Sequence, residues 1–95
     1  MTYADYLSVR ILALMKERNL SVNEVAKAAG LLHSTVNNIV NRKTNNPKIT
    51  TVHSIALAFD MKISEFLDYK LLDDMTLKDL EPLKPKKNSK EVPAE

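Results

Sequence analysis

Ninety-five residues with 14 basic and 12 acidic side chains make one domain with a tail, too short to build the deep two-sided cleft that most enzymes use. The absence of cysteine excludes disulfides and cysteine-ligated zinc or iron–sulfur centres. One glycine and four prolines leave few signals for tight hairpins, which argues against an all-β fold.

The apolar residues are mostly Leu, Ile, Val and Ala, as suits a small helical bundle. A first helix is expected from near Thr2, capped by Thr2 with Asp5, to near Asn19. Leu7, Ile11, Leu14 and Met15 recur along it at helical spacing and define one apolar face. In the stretch 21-SVNE-24, Ser21 and Glu24 form a second capping signal, with Leu20 placed to staple onto Val25. That second helix is short and ends at Gly30.

A third helix is expected over His33 to Asn41, with Val36, Ile39 and Val40 apolar. The polar loop 42-RKTNNPK-48 follows. A fourth helix spans Thr50 to Phe59, with Val52, Ile55, Ala56 and Phe59 on one face. Asp60 sits where a left-handed residue after the helix end is expected. A fifth helix covers Ser64 to Lys70, anchored by Phe66 and Leu67.

Residues 1–70 therefore read as one all-α domain of five helices. Residues 71–83 alternate leucines with acids and suit self-docking or a dimer contact. Residues 84–95 are charged and broken by proline, the composition of a disordered tail. The N-terminal MTYADYLSVR lacks a basic stretch followed by an apolar run, and no apolar run is long enough for a membrane span. A cytoplasmic location is expected.

Charge is distributed unevenly. From Val25 to Phe59 there is no Asp or Glu, while Lys27, Arg42, Lys43 and Lys48 lie inside, a local charge of +4. A basic segment free of carboxylates is what a phosphate-facing surface needs, although a chance gap on a solvated face would read the same way.

The lone Gly30 lies between two short helices that must meet at a steep angle. A sharp turn there needs positive φ, and Ala26 supplies the small residue for close packing. The pattern Val25-Ala26-x3-Gly30-Leu31-x4-Val36-x2-Ile39 resembles the helix-turn-helix of the lambda-repressor-like (Cro/repressor, or XRE) DNA-binding proteins. The resemblance extends over 10-RILALMKERNLSVNEVAKAAG-30, 35-TVNNIVNRKTNNPKITT-51 and 55-IALAFDMKISEFL-67, in the family's five-helix order, about residues 3 to 69.

That resemblance implies that the third helix is the recognition helix, lying in the major groove. His33, Ser34, Asn37 and Asn38 are then the base-reading candidates. Asparagine pairs bidentately with adenine, serine donates or accepts, and histidine bonds guanine or a phosphate. Asn37, Asn38 and Asn41 crowd five residues although asparagine is a poor helix former, a cost that a merely solvated face would not need. Asn41 also reads as a helix terminator, and His53 as a structural or surface residue.

Phosphate contacts are expected from Ser21 and Asn23 at the start of the second helix. Thr35, Asn41, Arg42, Lys43, Thr44, Asn45, Asn46 and Lys48 flank the third helix and complete the set. Four departures from the family pattern stand out. Leu32 replaces a capping Ser or Thr, Val22 replaces a DNA-contacting Gln, and Arg42 replaces a loop glycine. Val40 replaces the Glu that usually pairs with the first-helix Arg, which here leaves Arg10 as a candidate for a DNA phosphate.

No Ser-His-Asp set, H-E-x-x-H or P-loop is present, and the two histidines sit in helices without a nearby acid, so no enzyme is expected. No metal, cofactor or small-molecule ligand is implied. The expected function is a sequence-specific, double-stranded DNA-binding transcriptional regulator, a repressor on a palindromic operator as a homodimer. The alternative is an antitoxin-like module that binds a partner protein as well as DNA, using the leucines of 71–83.

Overall fold

Thr2 and Asp5 open the first helix reciprocally. The Thr2 hydroxyl accepts the Asp5 N–H at 3.2 Å, and the Asp5 carboxylate accepts the Thr2 N–H at 2.7 Å. The computed structural model describes residues 2–77. It contains α1 (Tyr3–Arg18), α2 (Val22–Ala29), α3 (His33–Val40), α4 (Ile49–Ala58), α5 (Ile63–Leu67) and the single turn α6 (Lys70–Asp73). A capping box also starts α2, where the Ser21 N–H donates to Glu24 Oε1 at 2.8 Å and the Glu24 N–H to Ser21 Oγ at 3.1 Å.

The Thr2 backbone hydrogen bond holds the Asp5 carboxyl below the usual carboxylate range; desolvation opposes it, and the Thr2 hydroxyl and the Arg42 charge add to the lowering. A carboxyl whose folded-state pKa is depressed stabilises the fold above its unfolded pKa. That contribution fades as pH falls through the depressed value. Asp5→Asn should therefore lose stability relative to the parent at neutral pH and converge with it in acid. Urea unfolding at a series of pH values checks this, and a constant difference between the two proteins would refute it.

Four helices end in the same way. Among the described residues, positive φ occurs at Asn19 (55°), Gly30 (71°), Arg42 (62°) and Asp60 (60°), each just past a helix. The N–H after each of them reaches back five residues: Leu20 to Met15, Leu31 to Ala26, Lys43 to Asn38 and Met61 to Ala56, at 2.8–3.0 Å. These are Schellman closures, which satisfy carbonyls that a helix end otherwise leaves open. The left-handed geometry expected at Gly30 and Asp60 is present. A Cβ on Gly30 would meet nothing within 4 Å, so glycine serves the φ angle there and not a tight contact.

The core is made where these short helices cross. Leu7, Ile11, Leu14 and Met15 of α1 pack with Val25 and Ala26 of α2, and with Val36, Ile39 and Val40 of α3. Val52, Ile55 and Ala56 of α4, Phe59 just beyond it and Phe66 of α5 complete the cluster. Phe59 and Phe66 lie nearly parallel, ring centroids 6.5 Å apart. Leu20, Leu31 and Leu67 pack against the cluster while half-buried.

The expected fifth helix over Ser64 to Lys70 is shorter, and a sixth element follows it. Asp68 (φ −80°, ψ 78°) sits at the centre of an inverse γ-turn, with the Tyr69 N–H donating to the Leu67 carbonyl at 2.8 Å. The turn redirects the chain so that α6 returns to α1, with Leu72 half-buried against the core. Leu71 and Leu77 stay exposed. The expectations for residues 78–83 and for a disordered 84–95 tail lie outside the described residues. No helix among the described residues is long and apolar enough to cross a membrane.

Candidate nucleic-acid interface

α2 and α3 carry the candidate site. α3 buries Val36, Ile39 and Val40, and this turns its polar residues to the other side. His33 and Ser34 are exposed, and Asn37 and Asn38 are half-buried. Among the described residues, none of these four side chains makes an intramolecular hydrogen bond or ion pair. The structure thus brings the four base-reading candidates together on one helix with their polar groups open to a ligand.

The loop after α3 folds back onto it. The Asn38 carbonyl accepts the N–H groups of Lys43 at 2.8 Å and Thr44 at 3.3 Å. An open groove of about 290 Å³ lies between α3, this loop and the start of α4. Thr35, Thr44, Asn46 and Lys48 line it together with Ile39 and Pro47, so four of the phosphate candidates share one concavity. Asn41, Lys43 and Asn45 are exposed beside it.

Three phosphate candidates, Ser21, Arg42 and Arg10, have intramolecular partners. At Ser21, the free N–H groups expected at the start of α2 are partly spent, because Ser21 and Glu24 satisfy each other there. Asn23 remains exposed on that turn. Arg42 occupies the left-handed position after α3, and its Nε lies 3.6 Å from Asp5 Oδ1. The segment free of acids in sequence therefore has a carboxylate beside it in space, donated by α1.

Arg10 is engaged within the fold. The missing Glu partner does not set it free. Its Nε donates to the Phe66 carbonyl at 2.9 Å and its Nη2 to the Glu65 carbonyl at 3.0 Å. Its guanidinium stacks over the rings of Phe66 and Tyr69, 5.7 and 5.1 Å from their centroids. An arginine so engaged closes the end of α5.

Two related contacts were not foreseen. Arg18 donates to the Phe59 carbonyl and stacks over that ring, which closes the end of α4. Ser8, fully buried, donates its hydroxyl to the Val40 carbonyl at 2.6 Å, which ties the end of α3 to α1. The sequence signal for Ser8 was its position beside Leu7 on the apolar face, where a small hydroxyl needs a partner.

Arg42 offers a separable test. Arg42→Gly removes about 1–2 kcal/mol of left-handed strain, while glycine's unfolded-state freedom and the removal of the exposed ion pair each return up to about 1 kcal/mol. Stability should stay within about 1 kcal/mol of the parent. If Arg42 meets a phosphate, the slope of log affinity against log salt should shrink by about 0.9 for each phosphate it neutralises. An unchanged slope would assign Arg42 to Asp5 alone.

Two short helices joined by a glycine turn, the second presenting polar side chains beside basic loops, define a helix-turn-helix. The profile of the Cro/C1-type HTH DNA-binding domain matches residues 10–71, and the chain belongs to this family. Among solved structures it is similar to one titled "Crystal structure of the prophage Lp1 protein 11", at 28% identity and a TM-score of 0.69 over 79% of this chain and 99% of that one. No curated protein sequence matches the chain.

Proposed function

We propose that the protein is a transcriptional regulator, a repressor that binds a palindromic DNA operator as a homodimer. The observation that carries this reading is the polar face of α3, with the side chains of His33, Ser34, Asn37 and Asn38 uncommitted, in a domain of the Cro/C1 type. A neutral, hydrogen-bonding face reads bases, whereas a binder indifferent to sequence relies on positive charge throughout. Thr35, Asn41, Lys43, Thr44, Asn45, Asn46 and Lys48 are assigned to phosphates on one side of α3, and Asn23 to phosphates at the start of α2. The protein is read as a binding module and not as an enzyme, acting in the cytoplasm.

Selection of bound duplexes from a random library tests this. A palindromic consensus with half-sites about 10 base pairs apart is expected, since two-fold protein symmetry meets DNA one helical turn apart. Weak, salt-sensitive binding without a consensus would overturn it. The reading as a partner-binding, antitoxin-like module draws on Leu71 within α6 and Leu77 beyond it, both of which remain exposed.

A further inference from the structure

We propose that Leu32 is a specificity-determining residue, whose side chain packs against the 5-methyl group of a thymine in the major groove. The inference rests on the assignment of α3 as the helix that reads DNA. Leu32 is the residue immediately before α3, and it is 72% exposed.

Its backbone is held on both sides. The neighbouring Leu31 N–H is bonded to the Ala26 carbonyl at 2.9 Å, and the Leu32 carbonyl accepts the Thr35 N–H at 3.0 Å. The isobutyl group therefore projects from a fixed point while touching little of the fold. The residue makes no side-chain cap for α3. Ser, Thr, Asp or Asn there would contribute about 1 kcal/mol to stability, so a leucine both forgoes the cap and exposes apolar surface to water.

Position gives that choice a use. The N-terminal residues of a recognition helix meet base edges, and Leu32 leads His33 and Ser34 into the groove. His33, Ser34, Asn37 and Asn38 all read by hydrogen bonds. The thymine methyl group is the one major-groove feature that such side chains do not satisfy and an aliphatic one does. Burying the leucine against it removes apolar surface of both partners from water.

The test uses the full chain and the duplex recovered by selection, with each thymine replaced in turn by deoxyuridine, which differs by the methyl alone. For the parent, one thymine per half-site should be sensitive, with a loss of about fourfold per methyl. For Leu32→Ala and Leu32→Ser the same replacement should have no effect. Leu32→Ser should also melt higher than the parent because it restores the cap, so its weaker binding could not be ascribed to unfolding. Selective binding with indifference to uracil at every position would overturn the proposal and leave the regulator reading intact. Equal uracil sensitivity in parent and variants would overturn it too, by assigning the methyl to another side chain. Failure of the selection to yield any consensus would remove both readings together.

Discussion

Asn38→Ala should cost the selected operator between about 30-fold and 10⁴-fold in affinity while leaving binding to unrelated DNA unchanged. A bidentate asparagine–adenine pair discriminates by about 1–3 kcal/mol, and a dimer would make it twice. The fold should not suffer. The Asn38 carbonyl that anchors Lys43 and Thr44 is main chain and survives the substitution. Alanine is also the better helix former by about 0.6 kcal/mol, so the variant should be at least as stable as the parent. Titration of operator and scrambled duplex, with a thermal melt beside them, separates the two effects. A parallel loss on both duplexes would move Asn38 from the bases to the backbone, and no loss on either would remove it from the interface.

Arg10→Ala should show the opposite pattern. It removes two charge-assisted hydrogen bonds to the Glu65 and Phe66 carbonyls and the stacking on Phe66 and Tyr69. Because the guanidinium is half-buried, the bonds are partly solvent-screened, and the combined loss is about 2 kcal/mol. In a domain of this size that lowers the melting temperature by about 10 °C. Arg10→Lys should recover little of it, since one ammonium cannot fork across two carbonyls. At temperatures where both are folded, the salt slope of DNA binding should match the parent. A reduced slope would return Arg10 to the phosphates.

The helical framework was legible because each local signal agreed with its neighbours. Thr2–Asp5 and Ser21–Glu24 are capping boxes, Gly30 and Asp60 are left-handed ends, and every residue placed on the apolar faces of α1, α3 and α4 is buried. Such signals span a few residues and need no knowledge of tertiary contacts. What was not legible lies between elements distant in sequence. Arg10 meets α5 across 56 residues and Ser8 meets α3 across 32. Both bond to carbonyls, which every residue has, so no side-chain pattern announces the partner. The break between α5 and α6 was missed for a related reason, since an aspartate in an inverse γ-turn has little composition signature. The groove at Thr35 and Lys48 was half legible. Its residues were singled out one by one, but their convergence depends on how the loop folds back onto Asn38.

The three ties that α1 makes to other helices share one property. Ser8, Arg10 and Arg18 grip the carbonyls of Val40, Glu65, Phe66 and Phe59, and none of these hydrogen bonds depends on a partner's side chain. The α3 helix, proposed to face DNA, is thus held through its main chain and through the buried Val36, Ile39 and Val40. Positions 33, 34, 37 and 38 can then be rewritten without loosening the mount. A lineage could drift from one target sequence to another by substitutions at those positions, and a library randomised there should yield folded proteins with altered sequence preference on an unchanged scaffold.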